Sequence, residues 1–423
     1  RHHFGERFTL NLGFSLPQDR TPRGSILDLR YTPDEQTFRR ELATWLASEV
    51  PAHGLSPATS DWDARRDYDT RWQRKLFDAG YAGINWPSQY GGRDATLIEQ
   101  LIYFEEIAKA NAPYIGVNFV GVLHGGPTIM AEGTDEQTAQ HIQKILSGEE
   151  VWCQGFSEPD TGSDLGNSQC RAVRDGDDYV INGSKIWTSL GTYAKYMILL
   201  ARTSTEGPNK YAGLSYFLVP MHADGIDPKP IKKLTGEYGF CQTFFDHARI
   251  PADCLMGKEG EGWNIAMVTL TFERGATGGQ AGGIASMELN VNDVVELARR
   301  AKRNGRPAIE DPHVRDQLVQ FIMESRGNQL MGVRSQIPEL ATDWPTAIPM
   351  SGKLRGSELK RRMCQFALSL QGANASRFVS NEAIDGGRWQ RSYFNAFSGT
   401  IGGGTSEVQH NILGERVLGL PKS

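Results

Sequence analysis

The stretch from Trp152 to Ser189, WCQGFSEPDTGSDLGNSQCRAVRDGDDYVINGSKIWTS, decides the fold, because it joins a helix-like first third to a strand-like middle. Residues 157–163 combine a proline, a glycine and short hydroxyl side chains, which disfavours both a helix and a central strand. We expect an irregular loop with free N–H and O–H donors, which suits an anionic or carbonyl-rich ligand. Taken alone, this segment fits a solvated surface turn better than a binding loop.

The second half of this stretch has the pattern of two strands around a turn. Residues 178–181 and 184–187 flank Asn182-Gly183, a strong signal for a two-residue hairpin. Such a hairpin would fold Trp187-Thr188-Ser189 back toward the loop. An indole and two hydroxyl groups would then lie near one planar ligand.

Composition limits the possible classes of protein. At 423 residues, the chain has the length of two or three domains, and 39% hydrophobic with 22% charged residues is ordinary for a soluble globular protein. A net charge of −5 and a pI near 6.0 give no electrostatic case for binding nucleic acid or a membrane. The five cysteines lack CxxC spacing, so we expect reduced thiols, a cytoplasmic location and no metal site. Residues 1–16 lack a signal-peptide core, and no apolar run reaches the roughly 18 residues of a membrane span.

Helix signals dominate the first third of the chain. Capping boxes predict helices that start after Thr32, Thr96 and Thr134, since each is followed three residues later by Glu or Gln. From residue 151 onward, short apolar runs such as 196–201 and 214–219 predict a small β domain.

Helical patterns return after Gly260-Glu261-Gly262-Trp263. They predict one long helix over 263–302, further helices over 312–336 and 353–370, and a last one in the tail over 406–417. We therefore expect an α+β multidomain protein. Its parts are an extension (1–29), an N-terminal α-helical domain (30–150), a central β-barrel-like domain (151–258) and a C-terminal four-helix bundle (259–423).

Several of these motifs resemble those of a known family. Ser-Glu-Pro-x-x-Gly-Ser-Asp from Ser157 and Asn-Gly-x-Lys-x-Trp-x-Ser from Asn182 resemble the flavin-binding signature of the acyl-CoA dehydrogenase family. The resemblance continues over nearly the whole chain, through Trp86-Pro87 with Gly91-Gly92, Gly133-Thr134-x-Glu136-Gln137, Gly260-x-Gly262-Trp263 and Gly403-Gly404-Thr405-Ser406-Glu407. It implies the family's three-part fold and FAD-dependent α,β-dehydrogenation of an acyl-CoA thioester to the trans-2-enoyl-CoA.

The resemblance also assigns cofactor and substrate residues. Residues that match flavin contacts are Phe156, Ser157, Gly162, Ser163, Trp187, Ser189, Thr405 and Glu407. Ser163 also matches a residue that holds the pantetheine of the substrate. Gln371-Gly372 resembles the segment that reaches FAD in a neighbouring subunit, which implies a homodimer or homotetramer. Electrons would leave to an electron-transferring flavoprotein or a similar acceptor.

The position of the catalytic base departs from the commoner family pattern. Many relatives carry a glutamate in a Tyr-Glu-Gly-Thr run near the C-terminus, where this chain has Gly403, followed by Gly404. Other relatives place the base on the helix after the Gly-Trp motif, and Glu273 fits that position. Apolar neighbours on this helix would raise the pKa of Glu273 toward neutrality. Arg274 resembles the arginine that contacts CoA, and Gly403 and Gly404 would lie against the thioester.

Other interpretations stay open. The family's Arg-x-x-Phe-Gly motif is degraded here to residues 299–305, and which basic residue replaces its arginine is not decided by the sequence. A flavin monooxygenase on the same fold, or a non-catalytic subunit of a mixed oligomer, would both leave Glu273 without a role. Lone histidines such as His124 and His410 fit polar core or surface positions better than ligand positions.

Overall fold

The computed structural model of the protein describes residues 30–58, 60–113, 115–274, 289–335 and 347–422, with backbone only at 273–274, 335 and 347–350. The expected extension over residues 1–29 lies outside the described residues. So do Gly278, Gly279, Gly282 and Gly283 of the expected long helix.

The N-terminal part is helical, as predicted. Its helices are α1 (Pro33–His53), α2 (Trp62–Asp78), α3 (Leu97–Lys109), α4 (Gly126–Glu132) and α5 (Asp135–Leu146). The capping boxes at Thr32, Thr96 and Thr134 are confirmed, each with both reciprocal hydrogen bonds. The sequence analysis missed α2, which begins where the Asp61 side chain accepts a hydrogen bond from the amide of Ala64.

The central part is one eight-stranded sheet. Its strands are β1 (Trp152–Gly155), β2 (Arg171–Asp175), β3 (Asp178–Ser189), β4 (Tyr196–Arg202), β5 (Leu214–Pro220), β6 (Ile226–Ile231), β7 (Phe240–Pro251) and β8 (Leu255–Met256). The order is β6-β7-β3-β2-β4-β5-β8, and β1 pairs in parallel with β4. One face of the sheet packs against the N-terminal helices through Trp152, Ile198 and Tyr216.

The predicted hairpin at Asn182-Gly183 is wrong. β3 runs through both residues and pairs with β7 on either side, with a register shift between Ile181 and Gly183 that marks a β-bulge. The hairpin turn lies earlier, at Gly176-Asp177, between β2 and β3. Asn182 and Gly183 serve the bulge instead: the Asn182 side chain accepts a hydrogen bond from the amide of His247.

Helices return at α6 (Gly262–Arg274), as predicted from the Gly-Trp motif. The expected single helix over 263–302 is wrong, because Asn290 adopts an extended conformation and caps a separate helix, α7 (Val291–Arg300). The chain then forms a tight hairpin of β9 (Lys302–Arg303) and β10 (Arg306–Pro307). It continues as α8 (Pro312–Ser335), α9 (Ala347–Gln371), α10 (Arg388–Gly399) and α11 (Ser406–Ile412).

Four of these helices, α7 to α10, share one apolar core that includes Leu297, Phe321, Met363 and Trp389. The chain therefore has the expected order of a helical part, a β part and a helical part. Within the described ranges, no helix combines the length and the apolar character needed to cross a membrane.

The bulge in β3 predicts a steric requirement for glycine at position 183. Gly183 has φ of 136°, and a Cβ there would lie 2.9 Å from the Cα of Cys170. Gly183→Ala should therefore lower the free energy of unfolding by about 2–4 kcal/mol. Urea denaturation checks this value.

Gly176 supplies the matched control, because it also has positive φ, 65°, but open space around its Cα. Gly176→Ala should cost only the backbone strain, about 1–2 kcal/mol. Equal losses in the two variants would contradict the role of the Cys170 contact.

Candidate active site

A buried ion pair fastens the loop of residues 156–163 to the end of β3. Lys185 is completely buried, and its ammonium donates to the backbone carbonyl of Phe156 at 2.9 Å and to Glu158 Oε1 at 2.8 Å. The Glu158 carboxylate also accepts the amides of Gln169 and Cys170. Both charges of the pair are therefore hydrogen-bonded inside the protein, as a buried charge requires.

The two halves of the opening stretch do meet, although no hairpin at Asn182-Gly183 brings them together. The amide of Ile186 donates to the carbonyl of Ser157 at 2.8 Å, so the loop lies directly against β3. Phe156 is buried against Tyr216, ring edge to ring face. The structure therefore groups Phe156 and Ser157 with the strand that leads to Trp187.

Trp187 sits in a second bulge of β3, with φ of 61°, an uncommon conformation for a residue other than glycine. Its indole is 56% exposed and stands edge-on to Phe240, with 6.1 Å between the ring centroids. Ser189 pairs with Phe240 across the ladder between β3 and β7. This arrangement offers a flat aromatic surface beside a hydroxyl group, which suits a planar ligand.

Arg202 holds the far side of the same loop. Its guanidinium donates to the carbonyls of Gly166, Ser168, Lys210 and Ala212, at 2.8–3.1 Å. Burial lowers the pKa of Arg202. These contacts join the chain after Ser163 to the loop between β4 and β5, so the loop is supported from both ends.

The turn formed by Gly403 and Gly404 presents free backbone amides. Gln409 Nε2 donates to the carbonyl of Gly403 at 2.8 Å, and Lys353 Nζ of α9 donates to the carbonyl of Gly404 at 2.5 Å. Because each peptide is planar and trans, these contacts point the amides of Gly404 and Thr405 the opposite way. In the described part of the chain, the amides of Gly403, Gly404 and Thr405 donate to no group.

The remaining predicted residues near this turn have clear positions. Thr405 caps α11 by accepting from the amide of Val408. Glu407 lies in the first turn of α11, where a hydrogen bond from its own backbone amide lowers its carboxyl pKa. Both residues are therefore next to the free amides, and their contacts with flavin stay predictions.

Gln371 and Gly372 lie far from this turn. They follow Lys353 by 18 and 19 positions, so the end of α9 is about 27 Å along the helix axis from the Gly404 contact. Gln371 is buried, accepts from Gln390 and has an Nε2 that no described group satisfies. This separation fits the expectation that Gln371-Gly372 serves a different cofactor molecule from the one beside Gly403.

Glu273 and Arg274 occupy the last turn of α6, but their side chains lie outside the described residues. Their predicted roles stay predictions. Thr269, one turn earlier, is fully buried and hydrogen-bonded to Tyr216 and to Thr128. The backbone of α6 is therefore anchored to both the sheet and α4 just before Glu273.

The residue types in these places fit FAD. The buried hydroxyl of Thr161 has no partner in the described part of the chain, and there is open space around the Cα of Gly162. With the exposed indole of Trp187, these groups leave room and a donor for a flat ring and a polar chain. The free amides at residues 403–405 add donors for oxygen atoms.

The Arg-x-x-Phe-Gly motif is degraded in the sequence, and a β-hairpin occupies its place in the structure. The residues that stand where the Arg-x-x-Phe-Gly motif is expected form the β9–β10 hairpin, with Asn304 and Gly305 both at positive φ. Arg303 pairs with Asp311 beside it. A tight basic hairpin therefore takes the place of a phenylalanine and its glycine.

Comparison with known families agrees with this fold. Three family models match in order: the acyl-CoA dehydrogenase N-terminal domain over residues 32–149, the middle domain over 153–248 and the C-terminal domain over 260–418. The chain belongs to the acyl-CoA dehydrogenase family. It is accordingly an FAD-dependent oxidoreductase that dehydrogenates acyl-CoA.

Individual relatives match over almost the full length. The chain is 38% identical over 404 residues to the acyl-CoA dehydrogenase IpdE1 of Mycolicibacterium smegmatis, covering 92% of this chain and 98% of that protein. It is similar to the crystal structure of the ChsE4-ChsE5 complex from Mycobacterium tuberculosis, with a TM-score of 0.76 and 32% identity over 94% of this chain and 100% of that one. A Tcur3481-Tcur3483 steroid ACAD structure matches with a TM-score of 0.77 and 30% identity, with the same coverage.

Sequence reasoning missed the residues that hold the site together. Lys185 and Glu158 are part of the family motifs, but the sequence analysis gave them no role. Lys185 lies at the same strand period as the buried residues Tyr179 and Ile181 of β3. A lysine at such a position indicates a buried partner. Arg202, Lys353 and Gln409 gave no local signal, since each acts on a backbone carbonyl of another segment.

The buried pair predicts a large coupling between Glu158 and Lys185. Glu158→Gln or Lys185→Met alone should cost about 3–5 kcal/mol of unfolding free energy, because each leaves the other charge buried without its partner. The double variant should cost clearly less than the sum. Urea denaturation, with FAD absorbance to follow retention of the cofactor, provides the measurement.

The exposed pair Arg74–Asp78 gives the control, since Arg74→Met should change stability little. Strictly additive losses at Glu158 and Lys185 would show that the two side chains do not depend on each other.

Proposed function

We propose that this enzyme oxidises the Cα–Cβ bond of an acyl-CoA thioester to the trans-2-enoyl-CoA, with Glu273 as the base that removes the α proton. The α carbon of a thioester is a weak acid, so the reaction needs a carboxylate base and donors for the developing negative charge on the thioester oxygen. When bound, FAD supplies the acceptor for the β hydride. The chain's own residues must then position the thioester and take the proton.

The free amides of Gly403, Gly404 and Thr405 are the observation that carries this proposal. The carbonyls of Gly403 and Gly404 each accept a hydrogen bond from a side chain, so the turn presents only N–H donors. Such donors favour an acceptor such as a thioester oxygen. Gly403 has no carboxylate of its own, and a base from another element is therefore required. Glu273 at the end of α6 is the acidic residue that the family resemblance offers for that task.

The remaining site residues have roles in the same proposal. Phe156, Ser157, Gly162, Ser163, Trp187, Ser189, Thr405 and Glu407 would hold FAD, and Ser163 and Arg274 would contact CoA. An electron-transferring flavoprotein or a similar carrier would remove the electrons. The cysteines Cys153, Cys170, Cys241, Cys254 and Cys364 are all free thiols, which supports a cytoplasmic location.

The assignment of the base is tested by Glu273→Gln. An amide cannot accept the proton, so turnover should fall by about 10²–10⁴-fold. Binding of FAD and of acyl-CoA should persist, because the shape of the side chain is kept. Steady-state assays with an artificial electron acceptor measure turnover, and flavin absorbance titrated with acyl-CoA measures binding.

Glu261→Gln, an exposed position just before α6, is the control and should leave turnover unchanged. Near-wild-type turnover in Glu273→Gln would exclude Glu273 as the base. It would favour a flavin monooxygenase or a non-catalytic subunit instead.

We also propose that the chain functions in an oligomer. Gln371-Gly372 lies about 27 Å along α9 from the Gly404 contact, so it suits the cofactor of another subunit. The degraded motif at the β9–β10 hairpin and the similarity to the ChsE4-ChsE5 complex support a second, different chain as that subunit.

Light scattering of the flavin-loaded protein checks this assembly. The 46.8 kDa chain should appear at the mass of two or four subunits, either of itself or with a co-expressed second chain. A monomer that keeps FAD and full turnover would contradict the proposed role of Gln371-Gly372.

A further inference from the structure

The turn formed by Gly403 and Gly404 is held by two side chains of different charge. Gln409, which is completely buried, donates from a neutral carboxamide to the carbonyl of Gly403 at 2.8 Å. Lys353 donates from a charged ammonium to the carbonyl of Gly404 at 2.5 Å. Two successive carbonyls of the turn therefore have a neutral donor and a cationic donor.

The difference in charge matters because a peptide group transmits the effect of a hydrogen bond. A carbonyl that accepts from a cation makes a shorter and stronger hydrogen bond than one that accepts from a neutral group. The peptide then becomes more polarised, and its N–H becomes a stronger donor. The peptide that Lys353 contacts joins Gly404 to Thr405, so the amide that gains strength is that of Thr405.

The Thr405 amide points away from Lys353, and within the described ranges it donates to no group. An oxygen atom bound by this amide would lie about 7–8 Å from the ammonium, across one peptide group and two hydrogen bonds. At that distance a unit charge still favours negative charge in a partly buried site, because the effective dielectric constant there is about 20 and not the roughly 80 of water.

Helix α9 limits the movement of the ammonium. Leu359 and Met363 of this helix pack in the apolar core of the C-terminal part. Glu358 accepts a hydrogen bond from the hydroxyl of Ser406 at 2.7 Å, so α9 also holds the start of α11. The helix and the turn are therefore joined on both sides of Thr405, through Lys353 before it and through Ser406 after it.

We propose that Lys353 is a positioning residue for the dehydrogenation. Its ammonium orients the peptide between Gly404 and Thr405 and strengthens the Thr405 amide as a donor to the thioester oxygen. The negative charge that develops on this oxygen as the α proton leaves is then stabilised by a cation that does not touch the substrate. This inference rests on the proposed function, because the thioester of that reaction is the acceptor for the amide.

A chromophoric ester tests the inference without turnover. The probe is para-dimethylaminocinnamoyl-CoA, whose absorption moves to longer wavelength when its thioester oxygen is polarised by hydrogen bonds. The wild-type holoenzyme should give this red shift, and Lys353→Met should lose at least about half of it while the ester still binds, since charge-assisted hydrogen bonds are about twice as strong as neutral ones. Difference spectra during a titration measure both the shift and the binding constant.

Turnover gives a second measurement. Lys353→Met should lower kcat by about 10- to 100-fold, because the Thr405 amide remains but loses its orientation and its polarisation. KM should change by no more than about threefold, since the thioester oxygen carries little charge before the proton leaves. The assays use butyryl-CoA, isobutyryl-CoA, octanoyl-CoA and cyclohexanecarbonyl-CoA with an artificial electron acceptor, and FAD absorbance with Tm shows that each variant is folded.

Two further substitutions separate the charge from the hydrogen bond. Lys353→Arg keeps a cation and a donor, whereas Lys353→Gln keeps only a neutral donor. The red shift and kcat should therefore decrease in the order wild type, Arg, Gln, Met. Arg355→Met is the control and should behave like wild type, because Arg355 is exposed on the same helix and bonds Ser351 of that helix.

An unchanged red shift and kcat in Lys353→Met, or no red shift in wild type, would overturn the inference. Equal values for the Arg and Gln variants would overturn the role of the charge, and this comparison decides the question if Lys353→Met loses FAD. A wild-type protein with a red shift that depends on Lys353, but with no oxidation of any ester, would instead contradict the proposed dehydrogenation and leave the support of the Thr405 amide by Lys353 intact.

Discussion

The hydrogen-bonded ion pair of Lys185 and Glu158 is the interaction on which the site depends. Removing two charges from water is costly, and the pair is stable here because Phe156, Gln169 and Cys170 supply the remaining hydrogen bonds from the backbone. Phe156 belongs to the loop of residues 156–163, and Gln169 and Cys170 lie between that loop and β2. The pair therefore fixes the course of the loop beside β3, and not only the distance between two side chains.

Local signals predicted the elements well, and they failed where a tertiary contact decided the outcome. The three capping boxes lie within single helical turns, so the sequence alone was sufficient for them. Asn182-Gly183 is favoured in tight turns because glycine tolerates positive φ, but a bulge has the same requirement, and here Cys170 packs against Gly183. α2 was missed because its sequence, WDARRDYDTRWQRKLFD, is dense in charge and only sparsely apolar.

The candidate site was predictable only where the residues of a family motif are contiguous in the sequence. Ser157 lies against Ile186, next to Trp187, as expected. Other contacts of the molecule join segments that are distant in sequence. Lys353 and Gly404 are 51 positions apart, and His124 and Gln154 are 30 positions apart. No pattern of composition or period reports such pairs, since each depends on how α9 and the π-helical turn that carries His124 pack.

The proposed division of labour between α6 and the Gly403 turn follows from backbone geometry. Gly403 and Gly404 have φ of 65° and 90°, and an L side chain in that left-handed region costs about 1–2 kcal/mol. A turn with two successive residues in that region is therefore best built from glycine, which carries no base. A base placed on a helix avoids that conflict, because α6 is held by Thr269 independently of the turn. Separating the base from the donors allows each to be oriented without straining the other.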